Sequence, residues 1–538
     1  MNDVVAIDTS WWRLIDRRAR LTPERLFLSD ESGRVLTFGQ YRTLAEEVAA
    51  GLVELGVRPE HVVSWQLPSN LEACVLMAAL CRLGVRQNPI LPILRRSEVS
   101  LITEQVASSW LIVPGMYRGF DFVEMAKESI GHRHCTIVAT SDHATSDHAT
   151  NDDARPDQAA RTGLSLPSAD PSRLPPATDP GSEVRWYFYS SGTTATPKGA
   201  MHTDSSVMAS SNAQIAYIGL EIDDLFPVPF PITHIGGIML LTAYLRVGAQ
   251  LLLLETFDPA TSPALMAERG ATVLGSATPF FHAYLAAQHR HGDEPLFPKL
   301  RQLQAGGAPI TPELNAECLR VFGTPIFNQW GLTEFPAATS LGPDDPPEKF
   351  DGTVGRMGPG ADAKTVDFDG NVNPTGVEGE LCVRGPQRCT GYVDSSLDHE
   401  AFDAEGYFRT GDLGTIDRDG FVRITGRLKD IIIRNAENLS AQEIENVLSE
   451  HPAIADVAVI GVPDARTGER VCAVVVLAAG HDSLTVQDLA ERCRAAGLAK
   501  QKTPERIVIV GALPRNPMGK VLKHVLRGQV VPPAPPGA

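Results

Sequence analysis

Residues 71–83 are apolar except for Glu72 and Arg82, and they end at Gly84, where the left-handed C-terminal residue of a helix belongs. Strand-like runs at residues 62–66 and 110–113 flank this segment. The rhythm is β-α-β, which commits this part of the chain to a parallel sheet. The preceding segment predicts another helix. Thr37 and Gln40 form a capping box, Tyr41, Leu44, Ala45, Val48, Leu52 and Leu55 recur at helical spacing, and Gly56 stands at the C-terminal end.

At about 150 residues per domain, 538 residues imply roughly three or four folding units, too many for a lone binding module. A formal net charge of −17 argues against non-specific nucleic-acid or anionic-membrane partners, so a polyanionic ligand must meet a local positive site. Apolar stretches such as residues 236–245 are far shorter than the roughly 20 residues of a membrane span. Met1-Asn2-Asp3 lacks the basic start of a secretion signal, so a cytoplasmic chain without integral membrane contact is expected. The eight cysteines include no C-x-x-C pair, and reduced, mostly buried thiols are expected. His132/His134 and His289/His291 lack a second pair at zinc-like spacing.

From about residue 139 to 182 the character changes. The tandem pentads at 139–143 and 144–148 lead into Pro- and Ser-rich sequence, which reads as an insertion of disordered type. A second boundary falls near 427. Beyond it, strands at 430–434, 456–461, 470–476 and 506–510, with helices at 441–449 and 486–496, predict a compact β-α-β-β-α-β module. Ser440/Glu443 and Thr485/Asp488 are its expected capping boxes. Residues 528–538 are Pro-rich and read as a tail.

The chemistry begins where the strand-like run 184–189 feeds Ser190-Ser-Gly-Thr-Thr-Ala-Thr-Pro-Lys-Gly199. Hydroxyl side chains, Gly192 and Lys198 at a strand exit suit a polyphosphate, although a hydroxyl-rich surface turn has the same composition. It is not a Walker A loop, because Lys198-Gly199 is followed by Ala200-Met-His202. Gly306-Gly-Ala-Pro309, Asn328-Gln-Trp-Gly-Leu-Thr-Glu334, Val354-Gly-Arg356, Gly379-Glu-Leu381 with Arg384-Gly385, Tyr407-Phe-Arg-Thr-Gly-Asp412, Gly426-Arg-Leu-Lys-Asp430 and Pro514-Arg-Asn-Pro-Met-Gly-Lys520 follow in that order.

Together these segments resemble the adenylate-forming superfamily of acyl-CoA synthetases, luciferases and peptide-synthetase adenylation domains. The resemblance implies an α/β fold: a large N-terminal AMP-binding domain, 1–426, of layered α/β subdomains plus a small β-barrel, then a hinge at 427–430. A small mobile α+β domain follows at 431–527, before the tail at 528–538. It implies ATP, Mg²⁺ and coenzyme A as cofactor or co-substrates. Ser190, Ser191, Gly192, Thr193, Thr194 and Lys198 would hold phosphates, with Thr193 and Glu334 on the metal and Thr333 on the α-phosphate. Gly306, Gly307, Ala308, Pro309, Asn328, Gln329, Trp330 and Gly331 would form the adenine and phosphate segments. Trp330 replaces the usual tyrosine, so stacking is expected to survive while the phenol hydrogen bond is lost. Asp412 and Arg427 would contact the ribose, and Lys429 would be the pivot. Lys520 would be the mobile ammonium that offsets charge when a carboxylate attacks phosphorus.

His234 matches the position that gates the acyl pocket. Residues 235–239 carry no acid to pair with a substrate ammonium, which disfavours amino acids. Ile238, Met239, Ser276, Thr278 and Phe280 are candidate pocket walls, and residues 87–96 and 114–122 look like ligases of alicyclic and short- to medium-chain acids. On the thioester face, Asn435-Ala-Glu-Asn438 stands where Gly-Gly-Glu-Asn is usual, so Ala436 beside Glu437 narrows the pantetheine passage. Ala441 replaces a proline, and Ala195 a glycine. The expected enzyme is an AMP-forming acid–CoA ligase, monomeric or homodimeric, with a small carboxylic acid, ATP and CoA as partners. The rivals are an adenylating enzyme that loads a carrier protein, a silent nucleotide-binding module, and a phosphotransferase.

Overall fold

The computed structural model describes residues 4–140, 164–178, 181–190, 197–308, 310–434, 437–464, 466–516 and 519–530. Its largest sheet has seven strands in the order Gly391–Tyr392, Lys198–Thr203, Val184–Ser190, Arg86–Pro89, Val62–Trp65, Trp110–Val113 and Thr136–Ala139. The five from 184–190 to 136–139 run parallel, as the β-α-β rhythm predicts, and Lys198–Thr203 turns back antiparallel. Helix Phe38–Leu55 carries the predicted capping box and ends on Gly56 at φ +105°. Helix Leu71–Leu83 is buried along its whole length and ends on Gly84 at φ +67°.

A four-stranded sheet, Leu225–Val228, Gln250–Leu253, Leu26–Asp30 and Val35–Thr37, shares the main core with the first. Five further strands, Val273–Ser276, Gln302–Ala305, Ile326–Trp330, Thr339–Ser340 and Arg356–Met357, form a third layer. The small barrel expected from the resemblance takes the form of a four-stranded antiparallel sheet, Asp362–Val366, Gly379–Arg384, Phe408–Ile416 and Val422–Arg427. Its last strand is covered at the near end by main-chain bonds from Val354 to Val422 and from Val422 to Gly355, which tie the sheet to the third layer.

The insertion expected over 139–182 has more structure than its composition implies. Ala139 closes a strand, and residues 164–178 lie against the large domain. Leu166 enters the main core, Ala169 N–H donates to Glu47, and Arg82 donates to the Pro175 carbonyl. The repeats at 141–148 fall outside the described residues.

After a 3₁₀ turn, Leu428–Asp430, the small domain forms its own sheet. Strands Glu437–Ser440, Ile431–Arg434, Gly468–Leu477 and Ile454–Asp464 run in that order, with Arg506–Ile509 on Gly468–Leu477. Along Ile454–Asp464 the side chains alternate. Val459 faces helices Ala441–Ser449 and Val486–Ala495, while Ala458, Ile460 and Val462 face helix Lys523–Val530. Two elements go beyond the predicted module: the strand Glu437–Ser440, formed by pairing with Ile431–Arg434, and the helix Lys523–Val530. Residues 528–530, expected in the tail, therefore end a helix anchored by buried Leu526 and Val530. Thr485/Asp488 is a complete capping box, whereas Ser440 caps the Glu443 N–H without the reciprocal bond.

Candidate active site

The phosphate-loop candidates Ser191, Gly192, Thr193 and Thr194 lie outside the described residues, as does the Ser190 side chain. The strands on both sides of the loop are described, and they place Lys198. Its ammonium sits 5.7 Å from the centroid of the Tyr392 ring, and the Tyr392 hydroxyl donates to Glu334 Oε1 at 2.6 Å. Loop lysine and carboxylate thus meet through a phenol that belongs to no motif. Burial and the adjacent Glu334 push the Tyr392 hydroxyl well above the usual phenol range, so it remains a donor.

A second linker lies on the returning strand. His202 is fully buried, and desolvation pushes its pKa down to about 4, so the ring is neutral. Nε2 lies 2.9 Å from the Thr333 carbonyl oxygen, which can only accept, so the proton sits on Nε2. Nδ1 lies 3.0 Å from the Ser206 hydroxyl. This bond fixes the backbone that presents Thr333 and Glu334.

Strand Ile326–Trp330 delivers the candidate adenine-segment residues Asn328, Gln329 and Trp330, followed by Gly331. The indole Nε1–H donates to Asp412 Oδ2 at 2.8 Å, inside a core cluster with Phe335, Tyr392 and Phe408. A phenol hydrogen bond is expected to be lost at Trp330; the indole bond to the carboxylate that stands there is unforeseen in the sequence. Asp412 and Arg427 are cross-strand partners, with Arg427 Nε 2.7 Å from Asp412 Oδ1. Glu380, in the Gly379-Glu-Leu381 segment, accepts from Gly411 N–H at 3.1 Å and so steadies the turn before Asp412. Gly306 N–H donates to the Ser276 carbonyl, Gly307 holds φ +83°, Ala308 is half-buried, and Pro309 is outside the described residues.

His234 caps helix Ile235–Val247, accepting Gly236 N–H on Nδ1 at 3.0 Å, so Nε2 carries the proton of the neutral ring. Desolvation holds its pKa near 4. In that helix only Gly236 and Met239 are less than fully buried, and Met239 packs against the main core; a cavity at the start of the helix is lined by Thr233, His234 and Ile235. Thr278 is half-buried, and Ser276 stands at φ +132° with an enclosed hydroxyl. Two candidate walls belong instead to the core: Ile238 packs in the main cluster, and Phe280 packs on Phe257 at 4.8 Å. Their helical positions face the layers behind.

Lys520 reaches the cleft from the small domain. Gly519 precedes it at φ +78°, with Pro279 and Ala277 3.3 and 3.5 Å from the place a Cβ would take, so this turn is seated on the large domain. Burial pushes the Lys520 pKa down to about 7, reinforced by Arg427 and Lys429 and opposed by Asp412 and Asp430. Lys429 is held low by burial and by Arg427. Three cations thus converge beside Asp412 in an otherwise acidic chain. Elsewhere in the small domain, Ile433 is exposed, Ala436 lies outside the described residues, and Glu437 begins its strand.

The AMP-binding enzyme family matches residues 15–393, and the AMP-binding enzyme C-terminal domain matches 443–520. A medium-chain fatty-acid–CoA ligase of Escherichia coli (strain K12) is 31% identical over 518 residues, covering 95% of this chain and 89% of its own length. A salicyl-AMP ligase / salicyl-S-ArCP synthetase of Mycobacterium tuberculosis is 33% identical over 530 residues, covering 95% and 89%. Among solved structures, ATP-bound MatB from Rhodopseudomonas palustris superimposes with a TM-score of 0.83 at 27% identity, covering 98% of this chain and 99% of that one.

Proposed function

Because the chain belongs to the AMP-binding enzyme family, we propose that it joins an alicyclic or short- to medium-chain carboxylic acid to coenzyme A, by way of an acyl-adenylate made from ATP. The observation that carries this reading is the convergence of Lys520, Arg427 and Lys429 on the cleft beside Asp412. Attack of a carboxylate on the α-phosphorus brings two anions together, and a preorganised ammonium lowers that barrier because it acts where negative charge gathers. Asp412, oriented by Trp330 and Arg427, accepts from the ribose hydroxyls. Thr333, held through its carbonyl by His202, donates to the α-phosphate. The bond between carboxylate oxygen and phosphorus forms as the bond to pyrophosphate breaks.

The donor set fits magnesium. Glu334 is a hard carboxylate with one oxygen taken by Tyr392, and among the described residues no cluster of three or more acids, histidines or cysteines accompanies it. An ion that takes most of its ligands from phosphate and water suits such a place, with Thr193 as a further ligand in this reading. When bound, it neutralises charge on the departing phosphates.

For the second step the small domain turns about Lys429, withdraws Lys520, and brings Ala436 and Glu437 to the pantetheine. His234 gates the acyl side. The medium-chain ligase among the relatives supports the CoA reading. A second reading, transfer to a carrier protein, is favoured by Asn435-Ala436 in place of Gly-Gly and by the salicyl-S-ArCP synthetase. A cytoplasmic location accompanies either, in keeping with eight free cysteines; among the described residues no helix is long and apolar enough to cross a membrane.

A panel of carboxylic acids in a pyrophosphate-release assay, with and without CoA, decides. Acid-dependent AMP and pyrophosphate with thioester on adding CoA supports the ligase. Acyl-adenylate that CoA leaves unconsumed selects the carrier-protein reading. ADP as product, or no product from any acid, overturns both.

A further inference from the structure

The third layer carries glutamines on one face. In Gln302–Ala305, Leu303 and Ala305 point into a hydrophobic core, so Gln302 and Gln304 point to the opposite face. Gln304 pairs with Phe327 on the next strand, and Gln329 shares the Phe327 face by the two-residue period. The π-helical turn Gln214–Ile218 lies across this face. Gln302 Nε2 donates to the Ile218 carbonyl at 2.6 Å, and Gln304 Nε2 donates to Gln302 Oε1 at 3.3 Å. Gln214 Nε2 donates to Gln329 Oε1 at 3.4 Å.

Both amide chains stop short. Oε1 of Gln214 and Oε1 of Gln304 are enclosed and find no donor among the described residues, although the two residues are only 1% and 4% exposed. Buried amides are ordinarily paired, so two unpaired ones on a single face call for a partner. Space lies beside Gln329, the partner of Gln214. A Cβ on Gly306 would meet only the Gln329 carbonyl oxygen and Cβ, at 3.8 and 4.0 Å, and one on Gly307 would meet nothing within 4 Å. The π-helical turn also packs on helix Ile235–Val247, which His234, the candidate acyl gate, caps.

Resting on the ligase reading above, we propose that Gln214 and Gln304 close the far end of the acyl site, and that the acid has an apolar body with a hydroxyl group remote from its carboxylate. A hydroxyl both donates and accepts, so it satisfies either orientation of a glutamine amide. A plain acid leaves these groups unpaired, and a site built to hydrogen-bond discriminates strongly against a substrate that lacks the partner.

The test measures kcat/KM for pyrophosphate release on matched pairs: cyclohexanecarboxylate and 4-hydroxycyclohexanecarboxylate, benzoate and 3- or 4-hydroxybenzoate, hexanoate and 6-hydroxyhexanoate. In the best-accepted pair the hydroxylated member is expected to be at least tenfold better, and Gln214→Leu to bring the ratio near one. A wild-type ratio of one or below in every pair overturns the proposal without any variant. A high ratio that survives both Gln214→Leu and Gln304→Leu overturns it too. Silence with all acids is a different result, which removes the ligase reading itself.

Discussion

Replacing Trp330 by phenylalanine keeps a ring in the cluster with Phe335 and Phe408 but removes the N–H that Asp412 accepts. A hydrogen bond to a charged group contributes about 1.5–3 kcal/mol, so KM for ATP should rise roughly tenfold or more while kcat changes less. The penalty should shrink with 2′,3′-dideoxy-ATP, which offers Asp412 no hydroxyl; an unaltered KM would show the indole to be packing alone. Lys520→Ala should lower adenylation by about 10² or more yet spare thioester formation from supplied acyl-adenylate, since the proposed role of the ammonium is confined to the first step. Equal loss in both half-reactions would remove that assignment. Asp412, Arg427, Glu334 and Lys520 were legible because their chemistry lies within contiguous motifs. Tyr392 and His202 were not: their partners Glu334 and Thr333 are 58 and 131 residues away, and a single sequence carries no sign of such pairings.

Among the elements, helices with strong end signals were read almost to the residue, because a cap is a local hydrogen-bonding requirement. Leu71–Leu83 and Ala441–Ser449 are examples. Glu437–Ser440 escaped because nothing in Glu-Asn-Leu-Ser favours a strand, and only pairing with Ile431–Arg434 makes it one. Lys523–Val530 escaped because its apolar stripe is little more than Leu526 and Val530. Residues 164–178 escaped because their anchoring depends on a notch in another element: a Cβ at Gly51 would lie 2.5 Å from the Pro167 carbonyl carbon. That contact reverses an ordinary rule. Alanine for glycine inside a helix normally stabilises by about 1 kcal/mol. Here Gly51→Ala must displace backbone, and a cost of about 1–3 kcal/mol is expected, seen as a Tm lower by about 1–3 degrees. A higher Tm would mean that 164–178 is free to move aside.

For the molecule as a whole, in the proposed domain motion, closing the small domain onto the large one without a nucleotide requires Lys520 to lose solvent beside Arg427 and Lys429. The closed arrangement holds its ammonium near pKa 7, whereas a solvated lysine titrates near 10.5. Closure therefore binds this proton more weakly than opening does. Below pH 7 Lys520 is charged in both arrangements, and the full penalty opposes closure. As the pH rises from 7 toward 10, the closed form sheds the proton while the open form keeps it, so closure becomes progressively easier. Asp412 and Asp430 temper the shift but do not cancel it. His282, which faces Asp456 and Arg515 across the interface, titrates below its ordinary 6.5 and is neutral throughout this window. A polyphosphate in the cleft removes this pH dependence by restoring the Lys520 proton. Energy transfer between a fluorophore on each domain should show the nucleotide-free enzyme closing as pH rises from 7 to 9, with little pH dependence in Lys520→Met. With ATP present the closed state should already dominate at pH 7 and change little toward pH 9, because Lys520 then keeps its proton in both arrangements. A nucleotide-free profile that is flat, or that survives in Lys520→Met, would place the electrostatic resistance to closure elsewhere.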